Sequence, residues 1–261
     1  MATRRHVPRK RFGQHFLVDP EIIERIVSAV DPQRGDHLVE IGPGLGALTR
    51  PLLARVGHLH AIELDRDLSA RLREQHSAGR LTVHQADALR FDFAALPAPL
   101  RIVGNLPYNI STPLLFHVGA VATRCTDLHF MLQQEVVDRM VAGPAESEYG
   151  RLSVVLQYRF RLERLFEVSP AAFRPQPKVH SAVVRLVPRP ADELNALSEA
   201  EFSRVVSRAF SMRRKTLRNT LSGLISATDL AQLGIDPGLR AQDLPVAAFV
   251  TVANRLARQR N

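Results

Sequence analysis

The chain has a single cysteine, Cys125, among 261 residues. One thiol cannot close an intramolecular disulfide or build a cysteine-rich zinc site, and it fits a reducing cytoplasm. No metal is expected. Long apolar runs are missing as well. No stretch approaches the roughly 18 residues that a membrane span requires, so no membrane association is expected. Met1 to Arg11 is basic but lacks the apolar core of a secretory signal. It has the flavour of an organelle transit sequence, yet functional-looking sequence starts near Arg11 and leaves almost nothing to cleave. Acidic residues are the minority charge: 26 Asp and Glu against 35 Lys and Arg give a formal charge of +9. That surplus suits a polyanionic partner, because Lys and Arg release counterions from phosphate backbones.

The remaining composition, 45% hydrophobic and 23% charged, is that of an ordinary soluble globular protein. The length predicts one large domain and one small one. Asp19-Pro20 reads as a helix start, with Ile22, Ile23, Ile26, Val27 and Val30 on its apolar face. Strands are then predicted at Leu38 to Ile41, His58 to Glu63, Leu81 to His84, Leu100 to Gly104 and Leu128 to Leu132. Helices alternate with them, one capped by Ser111. This order predicts an α/β fold of the Rossmann-like, doubly wound kind, with a mostly parallel sheet. Two apolar runs, Leu162 to Val168 and Ser181 to Val187, flank the stiff stretch Phe173 to Lys178 and predict an antiparallel pair closing the sheet. After the linker Pro188-Arg189-Pro190 the pattern is all helical, including a helix from Lys215 to Ile225. The expected division is a ligand-binding domain over 1–188 and a small helical domain over 189–261.

Glu40-Ile41-Gly42-Pro43-Gly44-Leu45-Gly46 falls at a strand-to-helix junction, where glycines let the backbone approach a ligand. Glu63 ends the next strand, about twenty residues on, and can accept both hydroxyls of a ribose. Asp87 follows the third strand, placed to accept from an adenine amino group, and Asn105 ends the fourth. The glycines do not follow the dinucleotide spacing, and no Lys-Ser or Lys-Thr is present to hold a triphosphate. An adenosine without phosphate fits better, and S-adenosylmethionine is such a ligand.

Asn105-Leu106-Pro107-Tyr108 carries the most chemistry. An exocyclic adenine amine is a poor nucleophile because its lone pair is delocalised into the ring. Acceptors aimed at its two protons draw the nitrogen toward tetrahedral geometry. The Asn105 side-chain oxygen is one acceptor. The Leu106 carbonyl is the other, turned outward because Pro107 restricts the residue before it. Tyr108 offers a flat face for an extruded base.

The stretch Asn105-Leu106-Pro107-Tyr108-Asn109-Ile110-Ser111 resembles the signature of the small-subunit rRNA adenine dimethyltransferases. Arg11 to Leu17, Tyr149 to Ser153, Phe173 to Arg185 and Arg213-Arg214-Lys215 also match, in the family's order, over roughly residues 9 to 258. The resemblance implies dimethylation of two adjacent adenines in the 3′-terminal hairpin of 16S rRNA, in the small subunit or its precursor. It implies S-adenosylmethionine as cofactor, contacted by residues matching His15, Leu17, Gly42, Gly44, Glu63, Asp87 and Asn105. Phe173 matches an aromatic that sandwiches the target base opposite Tyr108. Many members have Asn where this chain has His15, which leaves the polarity of that contact open.

RNA contacts are expected from Arg9, Lys10 and Arg11 in the N-terminal arm, from Lys178, and from Arg208, Arg213, Arg214, Lys215 and Arg218. The protein is expected to act as a cytoplasmic monomer. Three other readings stay open: a 23S rRNA adenine methyltransferase conferring macrolide resistance, a DNA adenine methyltransferase, and a non-catalytic ribosome-assembly or RNA-binding factor. Leu106 and the Tyr149 to Ser153 stretch favour the small-subunit enzyme.

Overall fold

The computed structural model describes residues 14–260. The expected RNA contacts at Arg9, Lys10 and Arg11 lie outside the described residues. In chain order the elements are β1 (Phe16–Leu17), α1 (Pro20–Val30), β2 (His37–Ile41), α2 (Thr49–Arg55), β3 (Leu59–Glu63), α3 (Arg66–Gln75), β4 (Leu81–Gln85), β5 (Leu100–Asn105) and α4 (Ser111–Gly119). Then come β6 (Cys125–Gln133), α5 (Gln134–Val141), α6 (Arg151–Arg159), β7 (Phe160–Val168), β8 (Phe173–Arg174) and β9 (Ser181–Pro188). The chain closes with α7 (Glu199–Ala209), α8 (Leu217–Thr220), α9 (Ala227–Gln232) and α10 (Val246–Arg260). Asp19 caps α1 as expected, its Oδ1 accepting from the Glu21 amide at 2.9 Å, with Pro20 in the first turn.

Seven strands form one sheet in the order β4-β3-β2-β5-β6-β9-β7. The pairs β2–β3, β3–β4, β2–β5 and β5–β6 are parallel, and β6–β9 is antiparallel. The expected mostly parallel, doubly wound sheet with a reversed edge is therefore present. The interior strands are nearly continuous apolar runs, as a sheet covered on both faces requires: Leu38, Val39, Ile41, Ile102, Val103, Phe130 and Leu132 are all buried. The chain enters the sheet at β2, winds outward to β4, then returns to the other side of β2 with β5. The loops after β2 and β5 diverge there, which opens a crevice at their carboxyl ends. β1 and β8 pair antiparallel as a separate ribbon, with Leu17 opposite Phe173.

The opposite end of the sheet is locked by a half-buried cation. Arg101, near the start of β5, donates Nε to Asp127 Oδ1 at 2.9 Å and Nη1 to Asp36 Oδ2 at 2.7 Å. Its Nη2 also reaches the Val30 carbonyl at 2.5 Å, tying the carboxyl end of α1 to the sheet. Asp127 is 3% exposed and is paired with this guanidinium through both of its oxygens. Beside it, burial pushes the His129 imidazole down to about 4, and it is neutral at physiological pH.

The chain divides into two compact units. One comprises the described residues up to Val137 with Glu163–Pro188. The other comprises Asp138–Leu162 with the described residues from Arg189 onward. The expected division assigned Asp138–Leu162 to the first domain, and the structure places it in the second. Side-chain packing supplies the reason. Tyr158 lies 4.4 Å from Phe202, ring centroid to ring centroid, and the Tyr149 hydroxyl donates to the Leu244 carbonyl at 2.9 Å. Two smaller expectations also change. Ser111 does not cap α4; it opens the helix, and its hydroxyl donates to the Pro107 carbonyl at 3.0 Å. The helix expected over Lys215 to Ile225 contracts to Leu217–Thr220, followed by a turn with Gly223 at φ 79°.

Replacing Arg101 by Met is expected to cost about 3–5 kcal/mol, because it strands a buried aspartate. Urea unfolding reads this as a lower midpoint, and Arg101→Met with Asp127→Leu should recover part of the loss.

Candidate active site

At the carboxyl ends of β2, β3, β4 and β5 lies a cavity of about 140 Å³. The first compact unit supplies all of its walls, which include His15, Leu17, Gly42, Gly44, Glu63, Asp87, Asn105, Leu106, Pro107 and Tyr108. All seven residues expected at a cofactor therefore line one space, together with the Asn105 to Tyr108 tetrapeptide.

The glycine turn builds the floor. Gly42, Gly44 and Gly46 have φ of 68°, 58° and 86°, a backbone that residues with a Cβ rarely adopt. At Gly44 space is limiting too, since a Cβ there would come within 3.1 Å of the Phe16 ring. The tightest approach is elsewhere, at Gly104 within β5. A Cβ there would meet the Ile41 carbonyl oxygen at 2.6 Å. Only glycine lets β5 lie this close to the end of β2 and carry Asn105 to the cavity wall.

Glu63 is 7% exposed, and burial raises its carboxyl above the ordinary range. Its Oε2 accepts from the Gly44 amide at 3.1 Å and its Oε1 from the Asp65 amide at 2.9 Å. Each oxygen keeps a further lone pair for a vicinal diol. Asp87 Oδ1 accepts from the Leu89 amide at 2.9 Å, which leaves Oδ2 for a ligand donor. Sequence reasoning passed over Glu40, which also lines the cavity and is 2% exposed. Desolvation pushes its carboxyl up to about 8, although the Thr49 hydroxyl donates to it at 2.6 Å. Glu40 is neutral at pH 7.

Asn105 Nδ2 donates to the His15 main-chain carbonyl at 3.1 Å. A carbonyl can only accept, so the amide nitrogen is the atom facing it and the side-chain oxygen is the atom left over. The Leu106 amide is fixed by the Met131 carbonyl at 3.1 Å. The Tyr108 hydroxyl pairs with Ser181 Oγ at 2.9 Å, and burial raises the phenol above its usual range. Ser181 itself is fully buried at the start of β9.

Phe173 departs from expectation. It is 1% exposed, packs in the core with Leu17, Val168, Ala172 and Val183, and is not among the cavity-lining residues. Its backbone pairs with Leu17 in the β1–β8 ribbon. The aromatic beside Tyr108 is His15, with ring centroids 5.6 Å apart and planes 27° apart.

Lys178 is exposed in the first unit. In the second unit Arg208, Arg213, Arg214, Lys215 and Arg218 are all exposed. Arg213 donates to the Ser147 carbonyl at 3.0 Å; the other four form no ion pair with any described residue. Besides Glu40, the residues that sequence reasoning missed are Leu64, Gly104 and Ser181. Leu64 lines the cavity although it is 51% exposed. Its place directly after Glu63, at the end of β3, was the available signal for it.

A parallel sheet in this order, with an acid-lined pocket at its switch point, defines a class I methyltransferase fold. The chain belongs to the ribosomal RNA adenine dimethylase family, which it matches over residues 5–258. It is 61% identical to "Ribosomal RNA small subunit methyltransferase A" of Aromatoleum aromaticum, over 97% of this chain and 95% of that one. The protein of the same name from Chromobacterium violaceum is 59% identical, over 97% of each chain. Among solved structures, a dimethyladenosine transferase from Plasmodium falciparum superposes with a TM-score of 0.82 at 24% identity, covering 94% of this chain and 98% of that one. The 23S rRNA methyltransferase ErmE gives a TM-score of 0.71 at 26% identity, covering 93% and 99%.

Glu40 generates a pH prediction. Its folded carboxyl titrates near 8 against an ordinary 4.5. Between those values the folded state holds a proton that the unfolded state has lost, so the Glu40 contribution to stability falls as pH rises through this window. Glu40→Gln keeps an acceptor for Thr49 and carries no charge. The thermal midpoint of the wild type should lose more, or gain less, from pH 5 to pH 8 than that of Glu40→Gln; parallel curves would refute the assignment.

Proposed function

We propose that this protein transfers methyl groups to the exocyclic N6 of two adjacent adenines in the 3′-terminal hairpin of 16S rRNA, each adenine receiving two. It acts in the cytoplasm as a single chain, on the small subunit or its precursor, with S-adenosylmethionine as donor. The observation that carries this reading is the commitment of Asn105 Nδ2 to the His15 carbonyl, which dedicates the side-chain oxygen to accepting.

The cavity fits the donor by its chemistry. Glu40, Glu63 and Asp87 line it, and among the described residues no Lys or Arg does. Such a wall disfavours phosphate and suits a cationic adenosine derivative. Glu63 would accept from the ribose hydroxyls and Asp87 from the adenine amino group, while the glycine turn presents backbone to the ligand. The bound donor supplies a sulfonium methyl as the electrophile.

The chain's own residues prepare the nucleophile. The Asn105 oxygen and the Leu106 carbonyl accept from the two protons of the target amine and draw its nitrogen out of conjugation. Tyr108, held through Ser181, gives the extruded base a fixed face on which to stack. Alignment supplies most of the rate. No strong base is needed, because the methylated amine carries a proton acidic enough for water to take.

Small-subunit rRNA is favoured over 23S rRNA by likeness. The relatives named for the small subunit are about 60% identical to this chain, and the 23S enzyme ErmE is 26% identical. The second unit supplies phosphate contacts through Arg208, Arg213, Arg214, Lys215 and Arg218, with Lys178 contributing from the first. These contacts position the RNA without reading its sequence.

Two experiments test this reading. Asn105→Ala should reduce methyl transfer to unmethylated small subunits by about two orders of magnitude, as loss of one preorganised polar group does elsewhere. Binding to those subunits should persist. Mass spectrometry of rRNA nucleosides should show N6,N6-dimethyladenosine in small-subunit RNA only when the gene is present; labelling of large-subunit RNA alone would overturn the assignment. Separately, Arg214→Glu with Lys215→Glu should weaken subunit binding and flatten its salt dependence, while affinity for S-adenosylhomocysteine stays unchanged.

A further inference from the structure

We infer that His15 is a positioning residue for the base-stacking tyrosine: its imidazole backs one face of Tyr108 and leaves the opposite face for the target adenine. The inference rests on the proposed adenine methylation and extends it to a residue that the functional reading assigns only to the cofactor.

Three contacts carry it. The His15 ring lies nearly parallel to Tyr108, with centroids 5.6 Å apart and planes at 27°. No base fits between them, because two stacking gaps of about 3.5 Å would need roughly 7 Å. His15 Nδ1 lies 2.7 Å from the Pro175 carbonyl oxygen. That oxygen only accepts, so Nδ1 carries the hydrogen and donates it. The ring is thereby pinned from the Phe173 to Lys178 stretch. Third, the His15 carbonyl accepts the Asn105 amide at 3.1 Å. One residue therefore sets both the oxygen that polarises the amine and the face that receives the base.

The tyrosine is constrained from two directions, its hydroxyl by Ser181 and its ring by His15. Phe173 is 1% exposed, so His15 is the aromatic ring seen against Tyr108. An Asn at this position, common in the family by resemblance, keeps the main-chain contact to Asn105 and loses the ring.

The test uses His15→Ala, His15→Phe and Tyr108→Phe in the full chain, with three readouts. The chain has no tryptophan and three tyrosines, so tyrosine emission reports directly on ring contacts. His15→Ala should alter the emission of the wild type and leave that of Tyr108→Phe unaltered. Single-turnover transfer to unmethylated small subunits, at saturating S-adenosylmethionine, should slow about 3–10-fold in His15→Ala, the worth of one aromatic pair. His15→Phe should restore most of the rate. Calorimetric affinity for S-adenosylhomocysteine should change less than 3-fold in both His15 variants. If affinity falls by the same factor as the rate, His15 serves the cofactor and the inference fails. It also fails if His15→Phe is as slow as His15→Ala, or if emission does not respond. Absence of transfer by the wild type would instead defeat the underlying functional reading, and the emission result would still decide the stacking.

Discussion

The hydrogen bond from Asn105 to the His15 carbonyl is the contact on which the site depends. A primary amide has two chemically opposite ends, and a freely rotating asparagine would offer a donor as readily as an acceptor. Pairing the nitrogen with a main-chain carbonyl removes that ambiguity. The partner belongs to the segment entering β1, and β1 is fixed to β8 by strand pairing. Acceptor polarity at the tip of β5 is thus decided by a segment ninety positions away in sequence. Gly104 makes the encounter possible, because any side chain there would push β5 away from β2.

Charge is sorted with similar economy. Among the described residues the cavity walls carry carboxyl groups and no Lys or Arg, although the chain as a whole carries +9. A cationic ligand and a polyanionic one therefore do not compete for the same surface. Neutrality of Glu40 at pH 7 matters to this arrangement. Beside the Glu63 carboxyl, a buried negative charge on Glu40 would add a desolvation cost without improving selectivity.

Much of this was legible in the sequence because local chemistry and chain order agreed. The apolar runs of β2, β3, β5 and β6 marked themselves as interior parallel strands. The glycines, Glu63, Asp87 and Asn105 fell at strand ends, where a switch point gathers them. Asp19 and Pro20 announced α1. Failures came where tertiary contact decided the outcome. Phe173 resembled a base-stacking aromatic, yet β1–β8 pairing turns it into the core. Asp138–Leu162 continued the alternating pattern, but Tyr149 and Tyr158 commit it to the other unit. Ser111 had the composition of a cap, whereas its hydroxyl found the Pro107 carbonyl. Glu40 was unremarked since a carboxylate before a glycine turn shows no sign of its burial. Gly104 was hidden inside a strand, where a missing side chain carries no periodic signal.

The two ends of the sheet divide the labour of stability and function. At the amino end, Arg101 joins β5, β6, the turn before β2 and the end of α1 through a half-buried charge paired with the buried Asp127. Such a network contributes little net attraction after desolvation, but it is costly to break and it sets register. At the carboxyl end β3, β4 and β5 lead to acceptors: Glu63, Asp87 and the Asn105 oxygen. Groups left partly unsatisfied destabilise a fold locally, and they hold their geometry only if the strands beneath them cannot shift. A clamp at the far end of β5 therefore bears on the placement of Asn105. Weakening it should broaden the distribution of acceptor positions before it unfolds the protein, because β5 is the strand that both features share.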